Sequence, residues 1–346
     1  MKPLLTGMQP EELSEFLALK PAFRAKQVFE WIHKGISSFQ DMTNLPLELR
    51  EAYKDLPVLS SEVSQEAVSE DGTSKITLKL HDNRFIESVL LIDETGRKTA
   101  CLSSQAGCAM GCTFCKTATM GLLRNLSAGE IVEQFLHLQS RYGNISNVVF
   151  MGMGEPLANL DEVIKSIKIL HHPMGQNIGL RKITISTSGM TRKIRELANT
   201  ELPVRLAVSI ISANELIRAE LMPVAGKEPL KQLKESLIYF QRVTKKRITL
   251  EYVLMAGIND RKEDALKLRH FVNDLKVIVN IIPWNPVEGL PYQEPDEKTV
   301  DTFITILEDL SIPVTKRYRK GRSVNGACGQ LAVLQNSSDS SDSSGT

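Results

Sequence analysis

Residues 101–115 read CLSSQAGCAMGCTFC, at the end of the apolar, strand-like segment KTACLSS (98–104), and this run decides how the rest of the chain is read. Cys108, Cys112 and Cys115 form a C-x3-C-x2-C arrangement, three thiols separated by small and turn-forming residues. Thiolates spaced this way wrap one soft metal centre but supply only three ligands, so one coordination position stays open. Structural zinc sites more often show two C-x2-C pairs or paired histidines. Here His33, His81, His137, His171, His172 and His270 all lie far from the loop in sequence. The spacing points to an iron–sulfur cluster, with a zinc site completed from elsewhere in the chain as the alternative. Five cysteines, four of them between Cys101 and Cys115, also make a poor disulfide framework.

Downstream of this loop, β-branched apolar runs alternate with amphipathic stretches. The strands are NVVFMG, RKITIST, VRLAVSI, RITLEYVL and VIVNIIPW; between and after them come helices such as SAGEIVEQFLHLQSRY, NLDEVIKSIKILHH and EKTVDTFITILEDL. Buried strands separated by helices predict a parallel sheet with right-handed crossovers. With KTACLSS as the first strand, six such units predict an α/β fold, a partial (β/α)6 barrel. Chemistry in such barrels sits at the C-terminal strand ends, which selects the loops after Ser103, Gly152, Thr187, Ile210 and Trp284. Upstream, PEELSEFLAL, FRAKQVFEWIHKG and LPLELREAY read as helices, the last with Thr43 and Asn44 as cap-like residues. KITLKL and FIESVLLID then read as a hairpin around Asp82, Asn83 and Arg84. The expected division is a small N-terminal helical domain over residues 1–58, a β-rich linker over 59–96, the barrel over 97–335 and a disordered Ser/Asp-rich tail over 336–346.

The 346 residues are 42% hydrophobic and 24% charged, which fits a folded core and excludes wholesale disorder. Lys and Arg total 42 against 41 Asp and Glu, so contact with nucleic acid has to use local clusters. Glu11, Glu12 and Glu15 stand where a signal peptide needs an apolar run, and no apolar run approaches the roughly 20 residues that span a bilayer. A cytoplasmic protein without a membrane partner is expected.

The triad, with Phe114 before its last cysteine, resembles the radical S-adenosylmethionine superfamily. That resemblance implies a [4Fe-4S] cluster on Cys108, Cys112 and Cys115 whose unique iron chelates S-adenosylmethionine, and reductive cleavage of the sulfonium to a 5'-deoxyadenosyl radical. MGMGEP (151–156) fits the superfamily's glycine-rich amine-binding segment. CLSSQAGC, GLLRNL, FMGMGEPLAN, ISTSG, LMP, IPWNP and ACGQL follow in order over most of the chain. Together with FRAKQVFEWI and FQDMTNLP they resemble the RlmN and Cfr family of RNA adenine methyltransferases.

The family resemblance implies that Cys328 takes a methyl group from one S-adenosylmethionine. A second is the source of the radical that activates the methylated thiol for addition to adenine, making two per turnover. Cys101 then resolves the enzyme–RNA adduct through a transient disulfide, and Glu87 removes the ring proton. Cofactor contacts carry over at Gly154, Glu155, Ser186, Ser209 and Asn285. The implied substrates are adenosine 2503 of 23S rRNA and adenosine 37 of a tRNA, methylated at C2, with a reducing electron donor such as flavodoxin. C8 methylation, or a non-catalytic metal-stabilised RNA-binding protein, are the alternatives. Two departures stand out: Ile211 where the family usually has histidine, and residues 322–326, which lack the family's acidic residues before Cys328. Lys316, Arg317, Arg319, Lys320 and Arg322, interleaved with Tyr318, are expected to meet RNA phosphates; Lys245, Lys246 and Arg247 form a second basic cluster.

Overall fold

The computed structural model describes residues 4–317 and 320–332, so Tyr318, Arg319 and the Ser/Asp-rich tail lie outside the described residues. The chain begins with α1 (Pro10–Phe16), α2 (Phe23–His33) and α3 (Leu47–Ala52). Pro10 sits in the first turn of α1, where a missing N–H costs nothing, and the Glu12 carboxylate accepts the Gln9 N–H at 2.7 Å. α2 buries Ala25, Val28, Phe29 and Ile32, one stripe at helical spacing. Neither expected cap serves α3. Pro46 holds its N-cap position, while Asn44 instead accepts a hydrogen bond from the Trp31 indole at 2.6 Å.

β1 (Glu62–Val68), β2 (Ser74–Lys79) and β3 (Phe85–Ile92) form an antiparallel meander, with Asn83 in the left-handed region at the expected turn. After them come β4 (Lys98–Cys101), β5 (Gln105–Gly107), α4 (Lys116–Thr119), β6 (Leu122–Asn125), α5 (Ala128–Tyr142), β7 (Asn147–Phe150) and α6 (Leu160–His171). The chain continues through β8 (Ile183–Thr187), α7 (Thr191–Ala198), β9 (Arg205–Ser209), α8 (Glu215–Leu221), α9 (Leu230–Thr244) and β10 (Ile248–Leu254). It ends with α10 (Lys262–Val272), β11 (Val277–Pro283), α11 (Glu297–Asp309) and β12 (Val314–Lys316).

The sheet order is β1-β2-β3-β4-β7-β8-β9-β10-β11-β12, parallel from β4 onward. The predicted partial barrel is present, and the hairpin strands extend its sheet. Its core includes Val148, Phe150, Ile185, Leu206, Leu250, Tyr252 and Ile281, all essentially inaccessible to solvent. Burial of each large apolar side chain contributes about 1.5–3 kcal/mol.

Two polar assemblies connect the parts. Glu133 of α5, fully buried, accepts from the Thr6 hydroxyl at 2.9 Å, the Ser60 N–H at 3.0 Å and the Ser61 N–H at 2.8 Å. This joins the N-terminal helices and the segment after them to the barrel. At the other end, residues 320–332 turn back across the barrel mouth. Gly321 N–H donates to Asp71 at 2.8 Å, Lys116 N–H to the Gly329 carbonyl at 2.8 Å and Ala332 N–H to Glu87 at 3.0 Å.

Candidate active site

The cysteine loop leaves the sheet after β4 and is pinned at both ends. Cys108 N–H donates to the Gly121 carbonyl at 2.8 Å, and Thr113 N–H to the Leu221 carbonyl at 3.0 Å. A cavity of about 970 Å³, counting the space that opens to solvent, lies over the C-terminal strand ends. Its walls carry Cys108, Cys112, Cys115, Gly154, Glu155, Ser186, Ser209, Asn285 and Cys328, nine of the eleven predicted site residues. Burial pushes the Cys108 thiol up to about 11 and raises Cys112 and Cys115 as well. Thiols so placed stay protonated until a cation compensates the thiolate charge, which suits metal ligands.

Three further polar atoms on the wall, Ser188 Oγ, Glu251 Oε2 and Asn285 Oδ1, are buried without a partner among the described residues. Buried polar atoms without partners are costly, so their presence fits a polar ligand held there. Among the described residues no three ligating side chains are gathered closely enough to hold a metal as they stand, but the chemistry of the donor set, three thiols on one loop beside free acceptors, fits an iron–sulfur cluster with a zwitterionic cofactor.

The glycine-rich segment lines the cavity and is also tightly packed from behind. A Cβ on Gly152 would fall 2.6 Å from Ser103 Oγ, and one on Gly154, whose φ is +99°, 2.5 Å from the Gln105 Cβ. Both glycines are required by packing, Gly152 against Leu102 and Ser103 after β4 and Gly154 against Gln105 of β5. Glu155 is buried, its carboxylate accepting the Ser188 N–H at 2.7 Å and the Leu157 N–H at 3.0 Å; burial raises its pKa.

A smaller adjoining chamber is lined by Cys101, Cys328, Val89, Met151 and Arg317. Cys328 faces both chambers, and Asn285 holds its loop by donating to the Cys328 carbonyl at 3.2 Å. The Cys101 thiol is pushed up to about 12 by burial and by the nearness of Cys328, with Arg317 acting against this. Glu87 is the one predicted catalytic residue that lines neither chamber. It stands behind the returning segment, paired with Lys75 at 2.8 Å, and burial raises its carboxyl pKa despite that lysine.

The basic run is more engaged than expected. Lys316 pairs with Asp301 at 2.8 Å, Arg322 with Glu294 at 2.8 Å, and Arg317 points into the cavity walls near Glu251. Ile211, at φ +57° and buried, packs with Met110, Met222 and Trp284 beside the cysteine loop. An apolar wall thus stands where a histidine would offer a ring nitrogen. Ser188, Glu251 and Trp284 line the cavity, and Arg218 binds the Ser188 carbonyl from behind it; none was anticipated, although Ser188, in ISTSG, and Trp284, in IPWNP, carried a usable signal.

An incomplete parallel barrel with three thiols on one loop at the strand ends is the architecture of the radical SAM enzymes, and the family model "Radical SAM superfamily" matches residues 102–269. A second model, "Ribosomal RNA large subunit methyltransferase N-terminal domain", matches residues 4–58. The chain is 49% identical over 331 residues to the probable dual-specificity RNA methyltransferase RlmN of Treponema denticola, covering 95% of each chain. It is 42% identical over 332 residues to the dual-specificity RNA methyltransferase RlmN of Lawsonia intracellularis, covering 92% of each. A radical SAM methyltransferase crystal structure from Sphaerobacter thermophilus superposes with a TM-score of 0.91 at 37% identity, over 95% of this chain and 99% of that one. The chain belongs to the RlmN family of radical SAM methyltransferases.

Proposed function

We propose that this enzyme methylates C2 of adenosine 2503 in 23S rRNA and of adenosine 37 in tRNA, through an S-methylcysteine on Cys328. The observation that carries this reading is the position of Cys328, shared between the chamber of the three cluster thiols and the chamber of Cys101. An aromatic carbon such as C2 is too electron-poor to displace methyl from a sulfonium, so a carrier thiol and a radical route are needed. When bound, the cluster and S-adenosylmethionine supply the methyl group and the radical, two cofactor molecules serving each turnover.

The chain's own residues do the rest. Cys108, Cys112 and Cys115 hold the cluster; Gly154, Glu155, Ser186, Ser209 and Asn285 hold the cofactor. The Cys328 thiolate is the nucleophile that accepts methyl, and the Cys101 thiolate releases the RNA by attacking the Cys328 sulfur. The S–S bond forms as the bond from that sulfur to the RNA-borne methylene carbon breaks, the carbon takes up a proton to become the methyl group, and an external thiol reductant reopens the disulfide. Glu87 takes the ring proton once the Ala332 N–H that it accepts has moved aside. A reduced protein such as flavodoxin supplies electrons, and the enzyme works in the cytoplasm. Among the described residues no helix is long and apolar enough to cross a membrane.

The test is anaerobic reconstitution with RNA and labelled S-adenosylmethionine, followed by mass spectrometry of the digested nucleosides. Wild type is expected to give 2-methyladenosine. Cys328→Ala is expected to keep its iron and lose all methyl transfer, and Cys101→Ala to accumulate a protein–RNA adduct. An 8-methyladenosine product, or methylation surviving Cys328→Ala, refutes the proposal.

A further inference from the structure

Arg218 is fully buried on α8, yet its hydrogen bonds go to uncharged acceptors: the Ser209 carbonyl at 3.3 Å, the Ile210 carbonyl at 3.2 Å, the Ser188 carbonyl at 2.8 Å and the Met222 thioether at 3.2 Å. Its Nε has no partner among the described residues. The nearby carboxylates are engaged elsewhere. Glu215 accepts the Leu230 N–H at 2.8 Å and Glu228 the Thr191 N–H at 2.9 Å, and both reach Arg218 only through space. A buried cation without a hydrogen-bonded anion is costly. The fold nevertheless builds a place for it: a Cβ on Gly189, whose φ is +110°, would sit 3.0 Å from an Arg218 terminal nitrogen.

What lies on the far side explains the cost. The end of α8 is hydrogen-bonded to the cysteine loop through Thr113 N–H and the Leu221 carbonyl, and Thr113 is the residue after Cys112. Arg218 stands one helical turn before Leu221, on the helix end against which the cysteine loop docks. Its planar fork also ties the backbone at Ser188, after β8, to the backbone at Ser209 and Ile210, after β9. Ser188 and Ser209 both line the large cavity, and the Ser188 N–H in turn orients Glu155.

We infer that Arg218 is a positioning residue with two roles: its charge is the built-in counter-ion of the anionic thiolate–cluster group, and its fork sets the spacing of the cofactor-binding strand ends. The charge role rests on Cys108, Cys112 and Cys115 holding the cluster; the spacing role does not. A cation fixed beside the cluster favours the reduced, more negative state, so the cluster accepts an electron more readily with Arg218 present. A fork spanning two strand ends is a property of guanidinium geometry that an ammonium cannot reproduce.

Arg218→Lys and Arg218→Met separate the two roles, read by iron content, redox titration of the cluster followed by electron paramagnetic resonance, and S-adenosylmethionine affinity. Arg218→Lys is expected to keep the wild-type midpoint potential while binding the cofactor about tenfold more weakly, the scale of a lost charge-assisted hydrogen bond. Arg218→Met is expected to show the same weakening together with a more negative potential. If Arg218→Met does not fold, the lysine variant tests the spacing role, and Arg218→Gln, with a neutral amide, replaces it in the potential measurement. Wild-type affinity in the lysine variant overturns the spacing role, and an unchanged potential in the iron-loaded neutral variant overturns the counter-ion role. Absence of iron from the wild type itself identifies failure of the cluster assignment instead.

Discussion

Glu133→Gln offers a near-isosteric test of how the N-terminal helices are held. One carboxylate oxygen accepts from the Thr6 hydroxyl and the Ser60 N–H, the other from the Ser61 N–H and hydroxyl. Glutamine keeps the volume but replaces one acceptor by a donor. If its NH2 faces Ser61, that backbone N–H at 2.8 Å loses its acceptor; if the amide flips, the Ser60 N–H at 3.0 Å loses its own. Hydroxyls can rotate to accept instead of donate, but a backbone N–H cannot. Either orientation therefore orphans one backbone donor, a cost of about 1–3 kcal/mol. The loss falls on the junction, so residues 4–61 are expected to release before the barrel unfolds. Hydrogen exchange by mass spectrometry is the assay: peptides covering Thr6 and Ser60–Ser61 are expected to exchange roughly tenfold faster or more, about the factor for 1.4 kcal/mol, while β7–β9 peptides stay protected. Unchanged exchange at the junction, or equal acceleration throughout the barrel, refutes the reasoning.

Burial lowers the His33 pKa to about 3, against 6.5 for the free side chain, so the folded protein keeps the ring neutral while the unfolded chain takes up a proton. This contribution is fully present above pH 6.5 and is lost as pH falls toward 3; His33→Phe is expected to flatten that acid limb in thermal melts. Lys75→Met strands the buried Glu87 carboxylate and is expected to cost about 3–5 kcal/mol near neutrality. Because the folded-state pKa of Glu87 is raised, the loss is smallest below the unfolded value and grows as pH rises through the folded one, which denaturation midpoints at pH 4 and pH 8 would reveal. Cys108→Ala is expected to abolish iron binding with the barrel still folded, checked by iron analysis and circular dichroism. Asn285→Ala removes the bond to the Cys328 carbonyl and is expected to speed alkylation of Cys328 in the iron-free protein, measured by peptide mass spectrometry.

The parallel strands were legible because an apolar β-branched run between amphipathic helices has few other solutions. The strand-end positions of Ser186, Ser209 and Asn285 followed from that topology. β1 was not legible: EVSQEAV lies at the sheet edge with most of its side chains in solvent, so no alternation marks it. Arg218 stayed hidden for the opposite reason. In NELIRAELMP it reads as one charge on a solvated helical turn, and only the convergence of three distant carbonyls makes its burial sensible. Charge in the sequence likewise overstated the free basic surface, since neither Lys316 nor Arg322 reveals its acidic partner until α11 and the loop before it are placed. Glu87 was singled out by its motif alone, and the segment whose Ala332 N–H it accepts comes from the far end of the sequence.

Among the described residues, β1 and β12 terminate the sheet without pairing to each other. A continuous ring of strands widens only by shearing whole ladders, whereas here the wall between the two edges depends on individual contacts made by residues 320–332. Releasing those contacts parts one flank and leaves the strand register untouched. Since the same short stretch carries Cys328, any movement that opens this flank also displaces the thiol shared by the two chambers.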